Sequence, residues 1–596
     1  MTTRSDDDDA KLGQGDPAGT AGLGANGLGA GIAWERADQL LVAGLVVVGC
    51  VLLVPNLGDR CLWQDEAECA LVARGILRTG LPVAWDGRLF ATGAFGVEVT
   101  DSFLWAWTPW AMHYLAAAGM AVFGQTSLGA RLPFALLGCA SIGLTYWVAR
   151  RLIGDRWASG LAAVLLITSV QYLLLMRQCR YYAIVPVAAL LAIWGYTELS
   201  RRRGIVLLSA GLVLLFYANY LTCACVAFGL VGHAVLWRRD RQTLTRLGLS
   251  SVIAGGVTLP WFFGLGLHHT LSASQAAGYH KESAGHGAFK LLFVMNQFVC
   301  PFVVVAGLVI TAARGRLRVR GAYGLVACMA VPVMILVPAF LWAGPRYLVH
   351  MLPLGAIVVA AALREVYLRS DVLGNIGAIA VGVTNLLPAM ACAVFPASIG
   401  AEQLDGDYAT GPATLRQGML KSEWAGYIHE LREPFVGPNE AITRALSNHG
   451  EPNDVVYAPY GQLPIMFHTN RRCAGLLKPE SRNRPGWDRL PEYLWDTDVA
   501  NVLIVRPAMR PSEGYNVVLQ RWRERARRTG RRLVAHNLKV KDIGWGNRPL
   551  LRYHYFQSPG AGLTDNITLI RLVPSDRAAP PMKPAPQVGP RRTEKR

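Results

Sequence analysis

The chain has 596 residues, 52% of them hydrophobic and 17% charged, with a formal net charge of +19. So apolar a composition excludes an ordinary soluble protein of this length and marks a membrane protein. The positive balance does not imply nucleic acid, because before position 400 most basic residues sit in short clusters between apolar runs, where they act as topology determinants.

Residues 1–36 are rich in Gly and Ala, with an acidic run from Asp6 to Asp9 and no basic n-region, and read as a disordered cytoplasmic tail rather than a cleaved signal. Crossing a ~30 Å hydrocarbon core takes roughly 20 helical residues. Runs of that kind predict spans at 39–55, 128–150, 156–176, 181–199, 204–219, 220–237, 246–264, 289–312, 321–342, 347–366 and 374–396. Basic clusters at Arg150-Arg151, Arg201 to Arg203, Arg238-Arg239, Arg314 to Arg320 and Arg364 to Arg369 occur at every second connection, which puts those connections in the cytoplasm. As one helix, 204–237 would be ~50 Å long, so a hairpin turn is predicted near Tyr217 to Tyr220. Segment 103–123 is apolar enough to cross, yet the count back from Arg150 requires residue 128 to lie outside. Its Trp105, Trp107, Trp110 and Tyr114 suit a helix lying at the interface. One signal opposes this: Arg60, Arg74, Arg78 and Arg88 lie in a loop that the charge rule alone would place inside.

After residue 397, helix-like pieces at 423–449 and 514–530 alternate with β-rich runs at 454–460, 499–505, 533–540 and 568–572. The organisation read from the chain is therefore a tail at 1–36, a membrane domain at 37–396, an extracytoplasmic α/β domain at 397–575 and a basic, Pro-rich tail at 576–596. The eleven cysteines lie mainly in apolar segments and show no metal-ligand spacing. Cys61 and Cys69 read as free thiols that would pair only if oxidised.

The most informative stretch, Trp63-Gln-Asp65-Glu66-Ala-Glu68 running to Gly80, reads as a short helix begun by carboxylates and ended by glycine. Asp65 with Glu68 suits a capping-box start, and equally suits a general base that takes the proton of an attacking hydroxyl. Arg177, Arg180, Tyr181 and Tyr182 lie at the outer end of a predicted span, against the charge bias, as do Arg346 and Tyr347. A guanidinium there grips a lipid phosphate bidentately while tyrosines pack on sugar or prenyl chain; snorkelling to headgroups is the alternative. Lys281, with His280 in the outer loop 265–288, is a further candidate phosphate ligand. The pairs Asp405/Asp407 and Asp496/Asp498 have the spacing of a metal-binding Asp-x-Asp, but lie in the outer domain, where nucleotide sugars are not expected.

An Asp-Glu pair before an Ala73-Arg74-x-Ile76-Leu77 helix, then Arg177-x-x-Arg180-Tyr181-Tyr182, then Arg346-Tyr347, resembles the GT-C membrane glycosyltransferases. The likeness covers roughly residues 39–366 and is greatest to the protein O-mannosyltransferase and lipid A aminoarabinose transferase group. It implies an all-α polytopic membrane domain with an interfacial helix in the first outer loop, followed by the small α/β domain. It implies that Asp65 is the catalytic acidic position with Glu66 its neighbour, and that Arg180, Tyr181, Arg346 and Tyr347 are donor-site positions. Many relatives carry a basic residue before paired prolines at the interfacial helix; here Thr100 to Trp110 holds none, and Asp101 reads as an added acceptor contact.

The expected activity is inverting transfer of a sugar from a polyprenyl-phosphate donor to a lipid, glycan or protein acceptor, at the periplasmic face of a bacterial inner membrane. No cofactor is required for it, and a divalent metal stays open. The rival classes are a polyprenyl-linked glycan transporter or flippase, which would line its path with the same arginines, and a polysaccharide ligase or polymerase.

Overall fold

The computed structural model describes residues 35–265, 284–313, 320–340, 345–383, 423–432, 437–505, 513–541 and 564–575. The two tails, Lys281 and the Asp405/Asp407 pair lie outside the described residues.

Helix α1 (Arg36–Leu53) leads into the short α2 (Gln64–Thr79), which Gly80 ends in the left-handed region at φ +79°. Helix α3 (Ala111–Phe123) has 13 residues and is about 20 Å long, too short to cross. It packs on α2 and on α4 (Ser127–Ile153), which Thr126 caps by accepting from the Gly129 amide. The next predicted span is a broken one, with α5 (Arg156–Ile167) and α6 (Val170–Met176) bent by 66°. Then come α7 (Ile184–Thr197), α8 (Arg202–Ala218) and α9 (Tyr220–His233), the last prolonged by a π turn at Ala234–Arg238. The predicted hairpin turn is present: Asn219 breaks the run with an extended backbone and caps α9, its Oδ1 accepting from the Thr222 amide at 2.9 Å.

The membrane part continues with α10 (Arg241–Gly264), α11 (Ala284–Val294), α12 (Phe302–Ala313), α13 (Arg320–Phe340), α14 (Met351–Tyr367) and α15 (Asp371–Val383). By length and composition, five described helices can cross a membrane, or six with the bent pair. The expectation of eleven spans is therefore met only in part. Hydropathy sees a continuous apolar run where the backbone breaks, as at Thr168-Ser169 and at Cys300-Pro301.

Ion pairs gather the basic clusters at one end of the bundle. Arg151 at the end of α4 and Arg203 at the start of α8 both pair with Glu198, and Arg364 near the end of α14 pairs with Asp155 at 3.5 Å. Asp65, Arg180 and Arg346 meet at the opposite end, as the alternation of basic clusters predicts. Two of the four arginines that opposed this orientation have local tasks instead. Arg78 pairs with Asp86 at 2.9 Å, and Arg74 donates to the Phe467 carbonyl at 2.8 Å while lying over its ring.

The C-terminal part contains α16 (Glu423–Arg432), which packs against α6, and α17 (Pro438–His449), α18 (Gln462–Thr469) and α19 (Glu513–Arg528) with one sheet. Strands β1 (Val455–Tyr457), β2 (Arg472–Cys473), β3 (Val502–Val505), β4 (Arg531–Lys541) and β5 (Thr564–Pro574) lie in the order β2-β1-β3-β5-β4. The first three are mutually parallel; β5 is antiparallel to β3 and to β4. The all-buried β3 shows why its sequence, Val502 to Val505, carries no polar alternation.

This part sits on the segment 54–110 between α1 and α3. Trp487 stacks on Phe103 and donates to the Asp101 carbonyl at 3.1 Å, and Arg484 pairs with Asp101 at 2.7 Å. Asp101 thereby helps to dock this part, with 54% of its side chain still exposed. From the same side, His468 accepts from the Leu62 amide at 2.9 Å, and Tyr427 donates to the Leu52 carbonyl at 2.7 Å.

Candidate active site

Three successive contacts stitch the start of α2 to the segment between α6 and α7. Trp63 Nε1 donates to Gln178 Oε1 at 3.1 Å, the Cys179 amide donates to Glu66 Oε1 at 3.0 Å, and Arg180 Nη1 donates to the Asp65 carbonyl at 2.9 Å. Asp65 and Arg180 are thus held together by backbone groups, not only by their charges.

Around Asp65 the charges converge. Arg180 Nη2 lies 3.8 Å and Arg346 Nη1 3.6 Å from Asp65 Oδ2, and Arg180 Nη1 also donates to Glu68 Oε1 at 3.2 Å. The Asp65 side chain keeps 27% of its surface exposed, against 8% for Arg180 and 22% for Arg346. Tyr347 lies beneath the Arg346 guanidinium, 5.1 Å from its ring centroid, and Tyr181 packs edge-on to Tyr182 at 4.7 Å. The Nε atoms of Arg180 and Arg346 are buried and find no partner among the described residues. Buried N–H groups normally have an acceptor, so this face suits an anion.

Glu68, one turn beyond Asp65, is pushed up to about 8 by burial and by the neighbouring Asp65 and Glu98 carboxylates, with Arg180 opposing. Glu98 lies in a nest: it accepts from Thr92 Oγ1 at 2.7 Å and from the amides of Gly93, Ala94 and Gly96. Gly96 has φ +85° there, a conformation that glycine adopts without strain. This nest fixes the loop beside Glu68 and had no signal in the sequence beyond its glycines.

Two residues singled out in the sequence have other tasks. Glu66 is fully buried and gripped by Arg131, whose Nε and Nη2 donate to its two oxygens at 2.8 and 2.6 Å. With the Cys179 amide added, Glu66 is a saturated anchor with no surface to offer a substrate. It also makes the helix start that was read into Asp65: Trp63 is the N-cap, and Glu66 accepts from the Trp63 amide at 3.4 Å. Asp65, at the second helical position, caps nothing. Arg177 donates to the Leu53 carbonyl at 2.9 Å and closes the end of α1. Arg131 itself was missed. Its signal was the one used for Arg180, an arginine at the outer end of a span. Asp496, of the second Asp-x-Asp pair, accepts from the Asp498 amide and starts a short 3₁₀ turn.

No protein-family model matches the chain. It is 29% identical over 236 residues to undecaprenyl phosphate-alpha-4-amino-4-deoxy-L-arabinose arabinosyl transferase 2 of Pseudomonas fluorescens, covering 38% of each chain. It is 30% identical over 232 residues to the transferase of that name from Pseudomonas aeruginosa, covering 36% of this chain and 39% of the other. The match thus spans about two fifths of these relatives' length. The crystal structure of ArnT from Cupriavidus metallidurans bound to undecaprenyl phosphate is similar over 90% of this chain and 98% of its own, with TM-score 0.52 and 16% identity. The apo structure of the same protein aligns over 80% of this chain with TM-score 0.51. The protein therefore has the fold of the GT-C membrane glycosyltransferases, the group its motifs resemble.

Proposed function

We propose that this protein transfers a sugar from a polyprenyl-phosphate carrier to an acceptor hydroxyl, by direct inverting displacement, at the non-cytoplasmic face of a bacterial inner membrane. The observation that carries the reading is the single carboxylate Asp65 set between two guanidiniums, each with a buried N–H left for an anion. In this reading Asp65 takes the proton of the acceptor hydroxyl as its oxygen attacks the sugar C1. Arg180 and Arg346 hold the phosphate and stabilise the negative charge that gathers on it as the C1–O bond breaks. The two steps reinforce each other. A phosphate arriving at the guanidiniums competes with Asp65 for them, so donor binding raises the basicity of the carboxylate that the reaction needs.

Tyr181, Tyr182 and Tyr347 line the site as apolar walls for sugar or prenyl chain, and Lys281 is proposed on sequence alone as a further phosphate contact. Glu66 and Arg177 serve as anchors. The acceptor is a lipid, glycan or protein, and the names of the sequence relatives point to an amino-pentose donor on undecaprenyl phosphate. Residues 37–396 form the catalytic membrane unit in this reading and 397–575 an extracytoplasmic cover.

The test is transfer from a synthetic polyprenyl-phosphate sugar in nanodiscs, comparing wild type with Asp65→Asn. Loss of a general base typically costs roughly 10²- to 10⁴-fold in rate. Asp65 makes no cap bond, so a change in stability would come from its ion pairs with Arg180 and Arg346, and thermal stability is recorded on the same samples to separate it from the loss of rate. A stable Asp65→Asn protein with wild-type turnover would remove the base from this site.

A further inference from the structure

We propose that Glu68 is a positioning residue for this reaction: it competes with Asp65 for the Arg180 guanidinium, and so sets how much positive charge bears on the base and how much remains for the donor phosphate. The inference rests on the reading of Arg180 as a phosphate ligand. Arg180 stands between two carboxylates of one helix, bonded to Glu68 at 3.2 Å and 3.8 Å from Asp65. Of the two side-chain carboxylates Glu68 takes the hydrogen bond while Asp65 bears on Arg180 as the larger charge, so the guanidinium is shared between them. Arg346, by contrast, is paired only with Asp65 among the described carboxylates.

The groups that face Glu68 are few. Asp65 lies one turn back on its own helix, Arg180 comes from the segment between α6 and α7, and Glu98 comes from the loop before α3. Glu98 is held in its amide nest, and α18 brings the apolar Leu463 to the neighbouring Gly93. Glu68 is largely enclosed by this wall, its side chain 13% exposed, with Gln64 beside Gly93. Burial and two like charges push the Glu68 carboxyl up to about 8, with Arg180 opposing. Below that point a neutral Glu68 releases Arg180 to Asp65 and to phosphate. Above it, ionised Glu68 draws Arg180 to itself, and Asp65 becomes the stronger base while phosphate is held less firmly.

The consequences are opposite for binding and for turnover. As pH rises through the neutral range, wild-type kcat should rise and KM for the donor should rise with it. Glu68→Gln is neutral at every pH, so both dependences should vanish, with KM fixed at the low value that wild type has on the acid side. Glu68→Asp keeps a titrating group and should restore a pH dependence, displaced because the shorter chain reaches Arg180 less well. A residue that merely fills space would not separate these variants.

The experiment measures binding of polyprenyl phosphate, without sugar, to wild type, Glu68→Gln and Glu68→Asp in nanodiscs across the neutral range, and transfer on the same samples. The expected result is a several-fold weakening of binding with rising pH that is present in wild type, absent in Glu68→Gln beyond the phosphate's own ionisation, and recovered in part by Glu68→Asp. Identical binding curves for wild type and Glu68→Gln would overturn the inference. Binding as expected with no transfer by wild type would refute the proposed reaction and leave the role of Glu68 standing. Wild type that binds no polyprenyl phosphate would overturn both.

Discussion

The Glu66–Arg131 pair offers the sharpest energetic prediction. Sequence alone set Glu66 beside Asp65 as part of a catalytic acidic pair; the structure makes it an internal strut. Replacing Glu66 with Gln removes one charge of a pair that is 0% and 8% exposed and leaves the Arg131 guanidinium facing an amide. Nη1 of Arg131 still holds the Leu57 and Arg60 carbonyls at 3.0 and 2.9 Å, so the cation cannot leave for water without unlacing the loop before α2. Breaking such a buried pair from one side typically costs about 3–5 kcal/mol, because the partner charge stays buried and uncompensated. The same cost should follow from Arg131→Met, which strands the Glu66 carboxylate on the Cys179 and Trp63 amides. The double variant Glu66→Gln/Arg131→Met should recover part of the loss, by roughly 0.5–3 kcal/mol, since neither orphan charge then remains. Equilibrium unfolding in mixed micelles measures all four corners of this cycle, and transfer is assayed on the same preparations. If Glu66→Gln keeps its stability and loses turnover by orders of magnitude, Glu66 is a chemical participant and the strut argument is wrong. Additive losses in the double variant would equally refute the coupling.

Arg180→Lys and Arg346→Lys should each weaken polyprenyl-phosphate binding about tenfold or more while insertion and stability hold, since an ammonium keeps the charge but not the bidentate fork; wild-type affinity in either variant would return these arginines to the role of headgroup contacts. Trp487→Ala should loosen the C-terminal part from the segment between α1 and α3 at a cost of about 3–5 kcal/mol, as for other buried tryptophans. Its expected signature is faster proteolysis within 82–106 and 470–500, and an unchanged digestion pattern would show that Trp487 does not fasten the two.

Much of this protein was legible from its residues. Charge bias and hydropathy act over whole helices and need no knowledge of packing, so the basic clusters at Arg151, Arg203 and Arg364 correctly marked one end of the bundle. Arg180 and Arg346 were legible for the converse reason: an arginine against that bias demands a partner, and both meet Asp65. The Asn219 turn followed from length alone, because one helix over 204–237 would overshoot the bilayer.

What sequence could not decide was which of several similar groups takes which partner. Asp65, Glu66 and Glu68 lie within four residues, and only the third dimension shows that Glu66 turns inward to Arg131 while Asp65 faces the paired arginines. A helix rotates successive side chains by about 100°, so neighbours in sequence enter different environments. The partners lie 65 and more residues away in Arg131, Arg180 and Arg346, a separation that no local pattern encodes. The breaks in α5–α6 and around Cys300 were hidden for a related reason, since hydropathy averages over the single residues at which a backbone turns. By itself, the sequence determined the solvent each segment seeks and the end at which charge must gather; tertiary packing alone decided which carboxylate faces the paired arginines.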